Sequence, residues 1–390
     1  MILISNFSKL NLARRYLWGA LVAALTAFLA LAFSGFLDAL TILPLPVGLA
    51  LVPAGTGAVT APAVPGSDNG GRSMKYARNE AKSYARETMR GIWAAALNPF
   101  DESLALDEAG LRRNIRHWID DLEIQGLFIA GKQGEFWSMS IEERKRNMTV
   151  AVEECGDKAG TIMSISDQNV DTVLELGRHA QECGADYVVV HAPMLSFCHE
   201  RDEVLYNYYK YLCDRLDIGI AMWSHPDSGY LMEPETCARI AELPNIMAIK
   251  YSVPREMYAR LTKLVGDKIL VSTSAEADWL DNIEELGWQL YLCSSPPYQL
   301  QTKNDRRMHE YTQLAFAGKF AEARRVRDSL DPVRRAIAET KPGGKPTAHG
   351  KYWQELLGQV GGRVRHPMLE LTEAEKAATS AAFEDCGLQL

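Results

Sequence analysis

From Gly91 onward, short apolar runs alternate with longer amphipathic segments. Several of these runs are continuously apolar, which is typical of strands buried on both faces of a parallel sheet. The pattern predicts eight strands, at residues 91–97, 126–130, 161–165, 186–192, 218–223, 246–251, 269–273 and 289–294.

The segments between these strands carry the signals that start and end helices. Ser140 stands three residues before Glu143, the spacing of a capping box. Pro234 falls in the first turn of another segment, and Gly184 and Gly287 stand where C-terminal glycine caps belong. These signals predict helices between successive strands.

Eight strands alternating with helices indicate an α/β fold, the (β/α)8 TIM barrel. An open doubly wound sheet is the alternative, but it usually carries a glycine-rich phosphate loop, and neither GxGxxG nor GxxxxGKS occurs. We expect residues 74–302 to form the barrel and residues 303–390 to form a C-terminal helical extension.

Residues 1–73 differ in composition from the rest of the chain. Residues 17–37 carry no charge, follow a basic flank and are long enough to cross a membrane. A Pro/Gly-rich linker then leads to Met74. One interpretation is that residues 1–73 are not part of the native protein, which begins at Met74 and is cytoplasmic. The other is that residues 17–37 anchor the protein in a membrane or direct its export.

Charge and cysteine content narrow the functional class. A formal net charge of −8 gives no sign of a nucleic-acid-binding surface. The seven cysteines form no CxxC pair, which favours reduced thiols in the cytoplasm. The eight histidines show neither HxxxH nor HxH spacing, so no metal site is predicted. No cofactor is expected either.

The stretch "IAGKQGEFW", residues 129–137, places a lysine directly after the second predicted strand. Active sites of such barrels lie at the C-terminal ends of the strands, so Lys132 falls on the catalytic face. The alternatives are a solvated loop lysine or a structural ion pair with Glu135.

A second lysine, Lys250, ends the sixth predicted strand in "NIMAIKYS". An ammonium group at the end of a buried strand is costly unless it is paired or neutral. Two interpretations remain open. The side chain snorkels to the rim of the barrel, or it supplies a neutral amine that forms a Schiff base with a carbonyl substrate.

At these motifs the chain resembles the dihydrodipicolinate synthase and N-acetylneuraminate lyase family of class I aldolases, as a divergent member. The resemblance runs from about Gly91 to Leu388. It rests on GxxGE after strand two, "LPNIMAIK" and "IKYS" at strand six, "GIWAAALNPFDESLALDEAGL" and "KYWQELLGQVGGRVRHPMLELTEAE". It implies a (β/α)8 barrel, a homo-oligomer (tetramer or dimer) and Lys250 as the Schiff-base lysine.

The departures from the family pattern set further expectations. The family loop GTTGE has threonines where Lys132 and Gln133 stand, and the strand-five tyrosine is replaced by Trp223. The two strand-four tyrosines are replaced by Met194 and Leu195. Lys250, Lys132 and Trp223 are therefore the predicted catalytic residues, in a pocket suited to a bulky or apolar substituent.

The remaining predicted site residues bind substrate or carry protons. His191 and His225 are both candidates for the proton carrier that replaces the missing tyrosines. The predicted substrate-binding residues are Gly131, Gln133, Gly134, His191, Leu195, His225 and Ser294. Lys132 is expected either to lower the pKa of Lys250 by charge repulsion or to hold the substrate carboxylate.

The resemblance therefore favours a lyase that forms a Schiff base with a 2-oxo acid, as an aldolase, dehydratase or hydratase-aldolase. Two alternatives stay open: an imine-dependent decarboxylase, and a non-catalytic family member that binds a keto acid.

We predict that a shortened protein beginning at Met74 folds and is as soluble and active as the full chain, because the barrel pattern starts only at Gly91. Circular dichroism and activity of the two forms check this. Failure of the shortened protein to fold would contradict it.

Overall fold

A computed structural model describes residues 74–195, 197–292 and 297–390. It confirms the predicted (β/α)8 barrel, whose strands lie close to the predicted ranges. The strands are β1 (Gly91–Ala95), β2 (Gly126–Ile129), β3 (Gly160–Ser164), β4 (Tyr187–His191), β5 (Gly219–Ser224), β6 (Ile246–Tyr251), β7 (Leu270–Ser272) and β8 (Leu290–Leu292).

All the strand pairs are parallel, and the strands follow one another in the sheet in chain order. The first strand also pairs with the last, with Trp93 opposite Leu292. Strands β7 and β8 are tied by a side chain, because the hydroxyl of Ser272 accepts the backbone N–H of Leu292 at 2.7 Å. The sheet therefore curls into a barrel, and the strand ends meet around one mouth.

The helices begin and end where the local signals indicate. Ser140 and Glu143 form the predicted capping box, Gly184 and Gly287 end their helices with left-handed backbone, and Pro234 opens its helix. The helices up to β8 are α1 (Ala81–Thr88), α2 (Glu108–Arg116), α3 (Ile141–Cys155), α4 (Val170–Cys183), α5 (Arg201–Cys213), α6 (Pro234–Ile240), α7 (Arg255–Val265) and α8 (Trp279–Leu286).

The predicted C-terminal helical extension is also present. It consists of α9 (Arg307–Phe316), α10 (Phe320–Asp328), α11 (Asp331–Thr340), α12 (Pro346–Leu356) and α13 (Glu373–Asp385). The domain boundary at residues 302 and 303 stays a prediction. Residues 1–73, with the apolar stretch at residues 17–37, lie outside the described residues. Within the described ranges, no helix has both the length and the apolar character needed to span a membrane.

The interior of the barrel is filled from its N-terminal end by Trp93. A Cβ atom added to Gly126 or Gly160 would stand 2.2 or 2.3 Å from the Trp93 ring, so these strands need glycine there. Helix α1 lies across this end, with Ala81 and Ala85 in the interior cluster. A filled base leaves the opposite, C-terminal end as the open mouth.

The loop after β2 is anchored to the C-terminal helices by a buried ion pair. Glu135 and Lys351 are 0 % and 1 % exposed, and their charged groups lie 2.6 Å apart. Glu135 also accepts the backbone N–H of Arg365 at 2.9 Å. Its backbone is left-handed, with φ of 57°, which is unfavourable for a residue other than glycine. These contacts hold the loop in that conformation.

We expect Lys351→Met to lower the free energy of unfolding by about 3–5 kcal/mol, because it leaves the Glu135 carboxylate buried without its charge partner. Lys376→Met is the matched control, since Lys376 pairs with Glu373 on the surface, and its cost should stay below about 1 kcal/mol. Urea unfolding of both variants decides the question. Equal, small losses would show that the buried pair does not anchor the loop.

Candidate active site

The side chain of Lys250 lies at the mouth end of β6 and is only 2 % exposed. Its Nζ lies 4.9 Å from the centroid of the Phe128 ring and 5.3 Å from that of Trp223. The sheet register places Trp223 beside Lys250 on the neighbouring strand. The amine is therefore enclosed by aromatic rings within the barrel and does not snorkel into solvent.

A cavity of about 390 Å³ opens above this amine. Five predicted site residues line it together: Lys250, Lys132, Gln133, Trp223 and His225. The opposite wall comes from the C-terminal helices and their connections and includes Ile337, Lys341, Thr347, His349 and Met368. Sequence reasoning missed this wall, because no local motif shows which part of a helical extension folds back over the barrel.

The ammonium group of Lys132 is held by two groups from the loop after β5. It contacts Nδ1 of His225 at 2.9 Å and forms an ion pair with the carboxylate of Asp227. The alternative pairing with Glu135 is wrong, because Glu135 is occupied by Lys351. The side chain of Lys132 is 25 % exposed. Burial lowers its pKa, and Asp227 opposes that shift.

Asp227 is a member of this cluster that sequence reasoning did not single out. Its Oδ1 lies 3.1 Å from Nδ1 of His225. The pKa of Asp227 is lowered, since the hydrogen bond from Lys132 and nearby positive charge outweigh partial burial. Its position in the sequence could have identified it, because Asp227 follows the end of β5 by three residues. Active-site residues of such barrels lie in the loops after the strands.

The two candidate histidines fall in different cavities. His225 lines the cavity that contains Lys250, and burial and the charge of Lys132 lower its pKa. His191 lines a second cavity of about 430 Å³. Burial lowers the pKa of His191 to about 4, and its Nδ1 lies 2.9 Å from the carbonyl oxygen of Ala192. The structure thus brings His225, and not His191, into the cavity with Lys250.

The two cavities share a wall, to which Lys132, Trp137, Trp223 and Asp227 contribute. Trp223 therefore borders both, as its place at the end of β5 suggests. Phe136 and Met194 line the second cavity only.

Three other predicted residues, Leu195, Gly131 and Gly134, make packing or backbone contacts. Leu195 lines neither cavity and packs against the core between barrel and helices. A Cβ atom on Gly131 would stand 2.9 Å from the Phe128 ring, and the carbonyl of Gly134 accepts a hydrogen bond from Asn98. Ser294 lies outside the described residues.

In the described part of the chain, no group of three or more His, Cys, Asp or Glu side chains is arranged to hold a metal ion. The six cysteines described there are free thiols.

A nearly closed parallel barrel with a buried lysine at its C-terminal mouth is the arrangement expected of a (β/α)8 enzyme. The comparisons with known proteins identify its family. Residues 88–385 match the model of the dihydrodipicolinate synthetase family, so the chain belongs to that family. This confirms the predicted enzyme class, a lyase that uses a lysine Schiff base.

The individual relatives are distant. A 4-hydroxy-tetrahydrodipicolinate synthase from Methanothrix thermoacetophila is 28 % identical over 74 % of this chain and 94 % of its own length. The structure of N-acetylneuraminate lyase from Fusobacterium nucleatum superposes with a TM-score of 0.68 at 22 % identity, covering 77 % of this chain and 100 % of that one. An E. coli prophage protein of the dihydrodipicolinic acid synthase family, solved with pyruvate, gives 0.68 at 20 % identity, covering 77 % and 99 %.

We predict that Lys132→Met raises the pKa of His225, because the positive charge of Lys132 lowers that pKa and opposes the effect of the Asp227 carboxylate. An NMR titration of the ring proton on Cε1 measures it. Lys341→Met, which removes another lysine of the same cavity, is the control and should leave the His225 titration in place. A His225 pKa that stays or falls in Lys132→Met would contradict the described cluster.

Proposed function

We propose that Lys250 is the Schiff-base lysine and that the substrate is a 2-oxo acid. The observation that carries this is the position of its amine, at the base of the cavity between Phe128 and Trp223. The neutral amine attacks the C2 carbonyl carbon, and loss of water gives the imine. The neutral amine is the form that attacks.

The carboxylate of the acid is assigned to Lys132 and Gln133, which line the same cavity where the family carries threonines. An ammonium and an amide N–H both donate to a carboxylate. The solved relative that contains pyruvate supports a pyruvate-type acid as the core of the substrate. A substrate carboxylate must compete with Asp227 for Lys132, because the two residues form an ion pair in the described structure.

His225 is assigned the proton transfers. The indole of Trp223 cannot replace the acid/base chemistry of a tyrosine hydroxyl, since its N–H is only a donor. Once the imine has formed, it acidifies the C3 protons, and a base within reach converts it to an enamine. His225 lines the cavity with Lys250, and burial and the charge of Lys132 lower the pKa of its ring.

The reaction that fits is carbon–carbon or carbon–oxygen lysis of a 2-oxo acid that carries a bulky or apolar substituent. Trp137, Ile337 and Met368 give the cavity an apolar outer part large enough for such a group. Decarboxylation is less well supported, because Lys132, the cation that would act beside Lys250, is paired with Asp227. A homo-oligomer, tetramer or dimer, stays a prediction.

We expect Lys250→Arg to abolish the adduct that sodium borohydride traps with pyruvate, because arginine keeps the charge but has no amine that forms an imine. Intact-mass and peptide mass spectrometry locate the adduct in the wild-type protein. Lys341→Arg, which replaces another lysine of the cavity lining, is the matched control and should keep the adduct. An adduct that persists in Lys250→Arg would show that another lysine forms the imine. A wild-type protein without any adduct would favour the non-catalytic binding role.

A further inference from the structure

One ring nitrogen of His225 lies next to two groups of opposite character. Nδ1 is 2.9 Å from the ammonium of Lys132, which can only donate a hydrogen bond. It is 3.1 Å from Oδ1 of Asp227, which as a carboxylate can only accept. The backbone N–H of Asp227 also points to Nδ1, at 3.3 Å. Nδ1 therefore faces two donors and one acceptor, an arrangement that favours a lone pair on Nδ1 and the proton on Nε2.

The proposed proton transfer needs the opposite tautomer. To remove a C3 proton from the imine, a neutral imidazole must present a bare Nε2, and its proton must then be on Nδ1. A base of this kind works best when a carboxylate accepts the Nδ1–H, because the carboxylate fixes the ring and stabilises the imidazolium that forms. Asp227 stands where such a carboxylate is required.

We propose that Asp227 is a positioning residue for His225: it accepts the Nδ1–H once a substrate carboxylate has drawn the ammonium of Lys132 away. The proposal rests on the proposed function, since it requires the carboxylate to bind Lys132. The side chains of Lys132, His225 and Asp227 are 25, 31 and 57 % exposed. The two imidazole tautomers can therefore exchange protons through solvent before the chemical step.

Conversion of the imine to the enamine needs only one proton acceptor, and His225 supplies it. Loss of water leaves the imine with a protonated nitrogen. The C3–H proton then goes to Nε2, the C–H electron pair becomes the C2–C3 double bond, and the C=N electron pair becomes the lone pair of the neutral enamine nitrogen. His225 becomes an imidazolium whose Nδ1–H is held by Asp227, and it returns the Nε2 proton when the enamine is protonated. The charged groups acting on this ring are Lys132 from the β2 loop, Asp227 and Lys250, and His191 acts on Asp227.

The experiment compares imine formation with proton transfer in the same protein. Imine is measured as the borohydride-reduced pyruvate adduct, and proton transfer as exchange of the pyruvate methyl protons for deuterium, followed by proton NMR across pH. The variant is Asp227→Asn. Asp214→Asn is the matched control, because Asp214 pairs with Lys210 on an exposed surface and lines neither cavity.

We expect Asp227→Asn to form the adduct like the wild type but to exchange deuterium more slowly, by about tenfold or more, as loss of an oriented base predicts. The pH limb assigned to His225 should move to lower pH, because the carboxylate of Asp227 raises the pKa of that ring. Asp227→Glu should recover part of the rate, and Asp214→Asn should match the wild type. In ¹⁵N-labelled wild-type protein, saturating pyruvate should convert Nδ1 of His225 from the unprotonated to the protonated form.

Unchanged exchange and an unchanged pH profile in Asp227→Asn would overturn the proposal. So would loss of its adduct, which would tie Asp227 to imine formation, or an Nδ1 that stays unprotonated with pyruvate bound. These results differ from failure of the proposed function, which would appear as a wild-type protein that forms no adduct and would remove the basis for both.

Discussion

The amine of Lys250 is held inside the mouth of a parallel barrel, against the rings of Phe128 and Trp223. An ammonium in such a place loses most of its hydration, and that cost either shifts the group toward its neutral form or requires a partner. The barrel makes the position possible, because β6 is covered on both faces and ends at the open mouth. The other residues of the cavity lie around this buried amine.

The other charged groups near the mouth are separated into distinct pairs. Glu135 and Lys351 neutralise each other inside the protein and tie the β2 loop to the C-terminal helices. That anchoring fixes the loop that presents Lys132, whose own charge is balanced by Asp227. Because of this pairing, Lys132 cannot act simply as an unopposed positive charge beside Lys250. The role of Lys132 in the site therefore depends on its contact with His225 and on its binding of a substrate carboxylate.

The fold was predictable because its signals are local. Continuous apolar runs, the capping box at Ser140 and the glycine at the end of α4 each depend on a few neighbouring residues. The positions of Lys250 and Trp223 at the mouth could also be predicted from the sequence, because the strand ends of a barrel converge there. The partner of Lys132 was not predictable, since Asp227 and Glu135 were both acidic residues near the mouth and only the three-dimensional structure separates them. The cavity wall formed by the C-terminal helices likewise depends on long-range packing that no spacing encodes.

We propose that the buried amine of Lys250 is the group that bonds to the substrate. A crystal structure of the protein after borohydride reduction in the presence of pyruvate tests it most directly. We expect continuous electron density from Nζ of Lys250 to C2 of the reduced acid, with the carboxylate within hydrogen-bonding distance of Lys132 or Gln133. Density for the adduct on any other lysine, or a pyruvate carboxylate bound away from both residues, would contradict it.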